Sequence, residues 1–265
     1  MTYIHGATDS VETARLEKQA RFLSRWILDG FDVGPGARLL DLACGVGAMA
    51  RRLRARFPDA HMVGSDLSMA QLRAARSFTS DADGPIPWVN ADASRLPFRS
   101  AAFDAVHCSW LLEHVPQRAM VPILSEARRV LKPGGVAQFT EVENESLAFW
   151  PRLPLVEDLA RALWKAQQDG GGDPIVGRKL YGLAMQAGFR DVQVLPHTFH
   201  LHAGSPYGYF RGVLEEFAEI LESAQDTLKD PLAERIPEAA RMLRDLQNVP
   251  GSSFTYTFFR ARGRN

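Results

Sequence analysis

The stretch Asp41-Leu42-Ala43-Cys44-Gly45-Val46-Gly47 sets an acid just before two closely spaced glycines. Glycine lets a backbone pass close to a ligand in conformations closed to other residues. A helix beginning after such a turn offers unpaired N–H groups to a carboxylate or phosphate. The same turn could also do no more than pack a strand on a helix. Two further acids add to it: Asp66 in VGSDLS and Asp92 in VNADASRLPF follow at intervals of 25 and 26 residues. A carboxylate at a strand end can accept both hydroxyls of a ribose, which selects an unphosphorylated one. Asp66 is placed for that role. Asp92 is placed for an exocyclic amine such as that of adenine, with the Ala93 N–H beside it. Taken singly, either acid would serve equally as a helix cap.

These acids act together only if successive strands end on them. RLLDL, HMVGSD, IPWVNAD, FDAVHCS and VAQFTEV read as strands, separated by helical patterns at about 46–57, Met69–Phe78 and 118–131 and by the turn Lys132-Pro133-Gly134-Gly135. Apolar runs alternating with helices are the pattern of parallel strands joined by crossovers. Asp9 and Glu12 resemble a capping box before a helix over 10–29, with Leu16, Ala20, Leu23 and Ile27 at helical spacing. Beyond Val142 the pattern loosens. It predicts helices near 152–168, up to Gly188, and over 206–223 and 231–247, with strands over 190–201 and 252–262. The helices at 10–29 and 206–247 are not needed to complete a sheet. They are candidates for a lid over its carboxyl edge, where open α/β sheets bind ligands.

The chain has 265 residues, with 31 basic and 31 acidic side chains. It can bury a large core, and no net field favours nucleic acid or an anionic membrane. No apolar run approaches the roughly 20 residues that span a bilayer, so membrane insertion is not expected. With Cys44 and Cys108 as the two cysteines, a disulfide framework is not the design, which suits a cytoplasmic setting.

RLLDLACGVGAMA, MVGSDLSMAQL, NADASRLPF, FDAVHCSWLLEHVP and LKPGG, in this order, resemble the successive motifs of class I S-adenosylmethionine methyltransferases, in the small-molecule branch that includes ubiquinone and menaquinone methyltransferases. The likeness covers about residues 37–142. It implies an α/β doubly wound, seven-stranded, mostly parallel sheet of order 3-2-1-4-5-7-6, in one domain of 1–265. The core would be 37–142, with an N-terminal helical cap over 1–33 and lid and substrate-binding additions over 143–250. It implies S-adenosyl-L-methionine as cofactor: Asp41, Ala43 and the turn through Gly45 and Gly47 at the methionine part, Asp66 on the ribose, Leu67 and Gln71 flanking ribose and base, Asp92 and Ala93 at the adenine. Cys44 stands where the family often has a glycine, and Ala48 where a third glycine is frequent. In this strand order the ends of strands one and four adjoin, so Cys44, Cys108 and Ser109 would face the cofactor or merely fill space.

Methyl transfer to a nucleophile is an in-line displacement on a sulfonium, served by alignment and exclusion of water. A base is needed only when the nucleophile arrives protonated. His114, after the fourth strand, is the first candidate base. Glu141, with Glu143 and Glu145 alternating after it, is a second catalytic candidate: the three could face one side and serve a cationic or metal-bound substrate, with a solvated acidic loop as the alternative. Arg15 and Gln19 share a helix face with Phe22 and Trp26, and Arg15 could pair with the cofactor carboxylate. Tyr3 and His5 could close over the sulfonium. His197, His200 and His202 match no strong zinc motif, and no metal is expected. Gly170-Gly171-Gly172 follows no strand and fits a hinge or linker, with Asp173 and Pro174 as a cap and first helical position. Phe149, Trp150, Tyr207, Tyr209, Phe210 and Phe217 would suit an apolar or aromatic substrate, or simply form core.

The expectation is therefore a methyltransferase acting on O, N or C of a small organic molecule, in secondary metabolism, with a homodimer left open. The rivals are a nicotinamide-dependent oxidoreductase, a nucleic-acid methyltransferase and a cofactor-binding protein without turnover. Against the first stand the missing third fingerprint glycine and the extra acid Asp92. Against the second, Cys108-Ser109-Trp110-Leu111 replaces the proline-aromatic motif expected for stacking a flipped base.

Overall fold

The computed structural model describes residues 10–80, 84–225, 228, 229 and 231–265. Tyr3, His5, the Asp9–Glu12 pair and the Tyr207 side chain lie outside the described parts. The elements are α1 (Ser10–Ile27), β1 (Arg38–Leu42), α2 (Ala48–Arg56), β2 (His61–Asp66), α3 (Met69–Phe78), β3 (Trp88–Asn90), β4 (Phe103–Ser109), α4 (Gln117–Val130), β5 (Leu131–Trp150), α5 (Pro154–Asp169), α6 (Leu180–Gln186), β6 (Arg190–His202), α7 (Tyr209–Ser223), α8 (Ile236–Leu246) and β7 (Ser253–Arg264).

One sheet of seven strands has the order β3-β2-β1-β4-β5-β7-β6. β1 pairs in parallel with β2 and β4, and β4 with β5, while β7 runs antiparallel to both β5 and β6. β1 is central and covered on both faces, so Leu39, Leu40 and Leu42 are at most 1% exposed. That is why it reads as an almost unbroken apolar run. α4 buries Met120, Ile123, Leu124, Ala127 and Val130, a stripe at helical spacing laid on the sheet. Two apolar layers result: α1, α2, α5, α7 and α8 contribute to one, α4 and α6 to the other.

β5 extends well beyond the expected VAQFTEV. β7 pairs with it from Val136↔Arg264 to Glu143↔Thr257 and, past an irregularity, from Ala148↔Thr255 to Trp150↔Ser253. Across the break the Ser146 hydroxyl donates to the Glu143 carbonyl (2.6 Å) and accepts the Thr257 N–H (2.8 Å). Sequence pattern alone missed this half because ENESLAFW shows no alternation and its partner strand lies more than a hundred residues on. Among the described residues no helix is long and apolar enough to cross a membrane.

Candidate active site

The parallel strands deliver their carboxyl ends to one edge. After β1 the chain turns through Ala43, Gly45 and Gly47, all at positive φ (56°, 53° and 73°). A Cβ on Gly47 would stand 2.4 Å from the Trp88 ring, so this turn needs glycine both for its conformation and for its neighbour. The turn is tied to the end of β2: the Cys44 N–H donates to the Ser65 carbonyl, and the Gly45 N–H to Asp66 Oδ2, each over 2.9 Å. The other Asp66 oxygen accepts the Ser68 N–H at 2.8 Å. Burial raises the Asp66 carboxyl above its ordinary range, against the lowering pull of those N–H groups.

Asp41 is 2% exposed. Its Oδ1 accepts a hydrogen bond from Nδ1 of the fully buried His107 at 2.8 Å. Among the described residues its Oδ2 has no hydrogen-bond partner, nor has Gln71 Oε1, and both residues line one large cavity. A buried acceptor left unpaired costs about 1–3 kcal/mol, so these two atoms call for a ligand with donors. An ammonium beside Asp41 and a ribose or base edge beside Gln71 would satisfy them. Asp92 is exposed; its Oδ1 accepts the N–H and hydroxyl of Ser94 (2.8 and 2.7 Å), which lower its pKa. Asp66 and Asp92 therefore each cap a turn and face the cavity at once.

The cavity holds about 950 Å³. Of the expected cofactor residues, Arg15, Asp41, Ala43, Cys44, Gly45, Asp66, Leu67, Gln71, Asp92, Ala93 and Ser109 line it, as does His114. These groups fit S-adenosylmethionine. Gly47, Cys108 and Glu141 do not reach the wall. Gly47 packs under Trp88, and Cys108 is completely buried in the sheet, its thiol pushed up by burial.

Glu141, a catalytic candidate from its place on the fifth strand, lies wholly buried behind the wall. Its carboxylate accepts the N–H groups of Leu111 (3.0 Å), Leu112 (2.8 Å) and Glu113 (3.3 Å). It thereby fixes the 3-10 turn Leu112–His114 instead of meeting a ligand. Burial, then the nearby Glu113, push its pKa up to about 8 against those three N–H groups. Glu143 and Glu145 are taken by Arg178.

The far half of the cavity is apolar and aromatic, walled by Trp110, Trp164, Phe199, Phe217, Tyr256 and Phe258. Trp110 follows β4 at φ 57°, a rare backbone state for a bulky residue, and meets Phe258 edge-on at 5.7 Å. Among these rings stand Glu113, Gln167, Asn144 and Glu216, which pattern reading missed. Glu113 Oε1 lies 3.7 Å from His114 Nε2, and Oε2 accepts from Gln167 Nε2 at 2.9 Å. The Tyr256 hydroxyl donates to Asn144 Oδ1 at 2.7 Å. One signal was available: Val213, Glu216, Phe217 and Ile220 are a helical face whose single polar member is the glutamate.

The glycine loop packs behind this wall without lining the cavity. The Glu113 carbonyl accepts the Asp173 N–H at 2.8 Å, and a Cβ on Gly172 would lie 2.4 Å from that oxygen. Asp173 does cap, accepting the Ile175 N–H at 3.2 Å, but a 3-10 turn over Val176–Lys179 follows. Of the other singled-out aromatics, Phe149 and Phe210 are core, Tyr209 packs on Phe22, and Trp150 is 66% exposed. His200 bonds Thr255 and His197 stacks on Phe258. Among the described residues no three His, Cys, Asp or Glu are grouped to hold a metal.

A sheet of this order, with a glycine turn after β1, an acid ending β2 and a deep cavity over the carboxyl ends, defines a nucleoside-cofactor enzyme fold of the class I methyltransferase type. Residues 39–135 match the methyltransferase domain family, and this part of the chain is a class I S-adenosylmethionine-dependent methyltransferase domain. It is 40% identical over 114 residues to the ubiquinone/menaquinone biosynthesis C-methyltransferase of Syntrophotalea carbinolica, covering 42% of this chain and 47% of the relative. It is 36% identical over 133 residues to the 27-O-demethylrifamycin SV methyltransferase of Amycolatopsis mediterranei, covering 49% and 47%. The chain spans about half the length of these curated relatives. The Haemonchus contortus phosphoethanolamine N-methyltransferase 2, solved with S-adenosyl-L-methionine, shares the fold at a TM-score of 0.52 and 19% identity, over 92% of this chain and 51% of that one.

Proposed function

We propose that this chain transfers a methyl group from S-adenosylmethionine to a small, largely apolar, ring-bearing molecule, in cytoplasmic secondary metabolism. The observation that carries the reading is continuity. One cavity joins the Asp41 Oδ2 and the Asp66 carboxylate to a wall of aromatic rings. When bound, the cofactor supplies an electrophilic methyl on a sulfonium. Asp41 would take the ammonium, Arg15 the carboxylate, Asp66 the ribose, and Asp92 with Ala93 the adenine. The chain's part is then to align the acceptor and exclude water, which α1, α5 and α7 do as a lid. His114, 3.7 Å from Glu113, would take a proton from an acceptor O–H or N–H.

The test is incubation with methyl-labelled S-adenosylmethionine and two sets of acceptors, flat apolar hydroxy- or amino-aromatics and small polar metabolites. Label in the first set alone is expected. Turnover confined to the polar set would reject this acceptor class. Calorimetric binding of NADH without S-adenosylhomocysteine binding would reject the cofactor assignment.

A further inference from the structure

Glu216 is the feature this reading leaves unexplained. It stands on the cavity face of α7 among Val213, Phe217 and Ile220. A carboxylate in such surroundings is costly unless it is compensated. Compensation comes from α1: Gln19 Nε2 donates to Glu216 Oε1 at 2.5 Å, and Arg15 Nη1 lies 3.6 Å from the same oxygen. Arg15 is 7% exposed and also lines the cavity, as the guanidinium expected to meet the cofactor's carboxylate.

We propose that Arg15 is shared between two carboxylates, neutralising Glu216 until the cofactor arrives and then turning to the cofactor, so that cofactor binding is coupled to uptake of one proton by Glu216. This rests on the cofactor reading above. The proton comes from solvent, an O–H bond forms on the Glu216 carboxylate, and no covalent bond in the protein breaks. Other charged or titratable groups acting on Glu216 are Lys18 from α1, Glu219 one turn further along α7, and Tyr256 from β7. Burial already pushes Glu216 up to about 7, with Arg15 the main opposing influence. Losing that influence leaves the neutral form favoured near neutral pH. A ligand whose binding takes up a proton loses affinity as pH rises. Above pH 7, cofactor affinity should therefore fall by as much as about tenfold per pH unit, over and above the ligand's own titration.

The experiment is calorimetry of S-adenosylhomocysteine binding to the full chain at pH 8, in buffers of different ionisation heat, for wild type, Glu216→Gln and Arg15→Gln. The ligand's ammonium titrates alike in all three, so the difference between proteins isolates Glu216. Wild type should take up most of one proton more than Glu216→Gln. Glu216→Gln should bind as tightly or more tightly, since Arg15 then has no contact with a Glu216 carboxylate to give up. Arg15→Gln should lose both the coupling and at least tenfold in affinity, and either variant alone suffices should the other fail to fold. Equal proton uptake in wild type and variant would overturn the coupling while leaving the cofactor assignment intact. Absence of binding by wild type would overturn that assignment and the coupling with it.

Discussion

Nδ1 of His107 donates to Oδ1 of Asp41 over 2.8 Å, with His107 entirely buried and Asp41 nearly so. The bond holds one carboxylate oxygen inside the sheet and leaves the other to the cavity. It links neighbouring strands, since Asp41 and His107 are register partners of β1 and β4.

His107→Phe should therefore act in two places. Leaving Asp41 Oδ1 buried without its donor should cost about 1–3 kcal/mol of stability. With its orientation no longer fixed, Asp41 should also hold S-adenosylhomocysteine more weakly, by about tenfold. Thermal unfolding and calorimetry check the two effects, and an unchanged dissociation constant would remove His107 from any part in positioning Asp41.

Asp66→Asn keeps the shape of the side chain but gives up the charge that meets the Gly45 and Ser68 N–H groups and, in the proposed function, a ribose. A hydrogen bond to a charged group is worth about 1.5–3 kcal/mol, so affinity for S-adenosylhomocysteine should fall about ten- to a hundredfold. Titration calorimetry decides this, and affinity within twofold of wild type would take Asp66 out of the site.

Gly47→Ala and Gly36→Ala separate conformation from space. Both positions have positive φ, 73° and 69°, but nothing lies within 4 Å of a Cβ on Gly36. Gly36→Ala should cost about 1–2 kcal/mol, the left-handed penalty alone. Gly47→Ala adds the collision with Trp88 and should cost more and loosen cofactor binding. Equal losses in chemical denaturation would show that Trp88 gives way freely.

Gly172→Ala should separate turnover from cofactor binding. The added methyl meets the Glu113 carbonyl and the Gln167 side chain, displacing the turn that carries Glu113 and His114. Once an acceptor is in hand, kcat should fall at least tenfold with S-adenosylhomocysteine affinity unchanged. If both parameters stay at wild-type values, the loop has no hold on that turn.

The pH dependence of stability should carry a signature of Glu141. Its pKa is raised to about 8 in the folded chain by burial and by Glu113, against about 4.3 for an unperturbed glutamate. Between those values the folded chain holds a proton that the unfolded chain has released. Its contribution to stability is thus complete below about pH 4.3 and is lost as pH rises through 8. Urea denaturation from pH 5 to 8 should show wild type weakening relative to Glu141→Gln, by at most about 1.4 kcal/mol per pH unit. Parallel profiles would mean that the three N–H donors keep Glu141 charged throughout.

Elements bounded by strong local signals came out of the amino-acid order almost residue for residue. β2, α3 and β4 occupy the expected HMVGSD, Met69–Phe78 and FDAVHCS. Elements defined by distant partners did not, and the second half of β5 has no local pattern because β7 supplies its pairing. The site divides in the same way. Gly45 and the acids ending β1 and β2 were legible because a turn and a strand end are local facts. Glu141 was misjudged because alternation along a strand says which face a side chain takes but not what covers that face. Here the cover is the backbone of 111–113.

The amino-acid order by itself determined the strand ends, the glycine turn and the acids at β1 and β2, since these depend on backbone sterics and near-neighbour hydrogen bonds. Tertiary structure alone decided which carboxylates face the cavity and which brace the frame. Asp41 received a histidine from the neighbouring strand, Glu141 three N–H groups from a turn about thirty residues back, and Glu216 an arginine from the far end of the chain. The reason is physical: the role of a buried charge is set by what compensates it, and compensation is a property of the packed molecule.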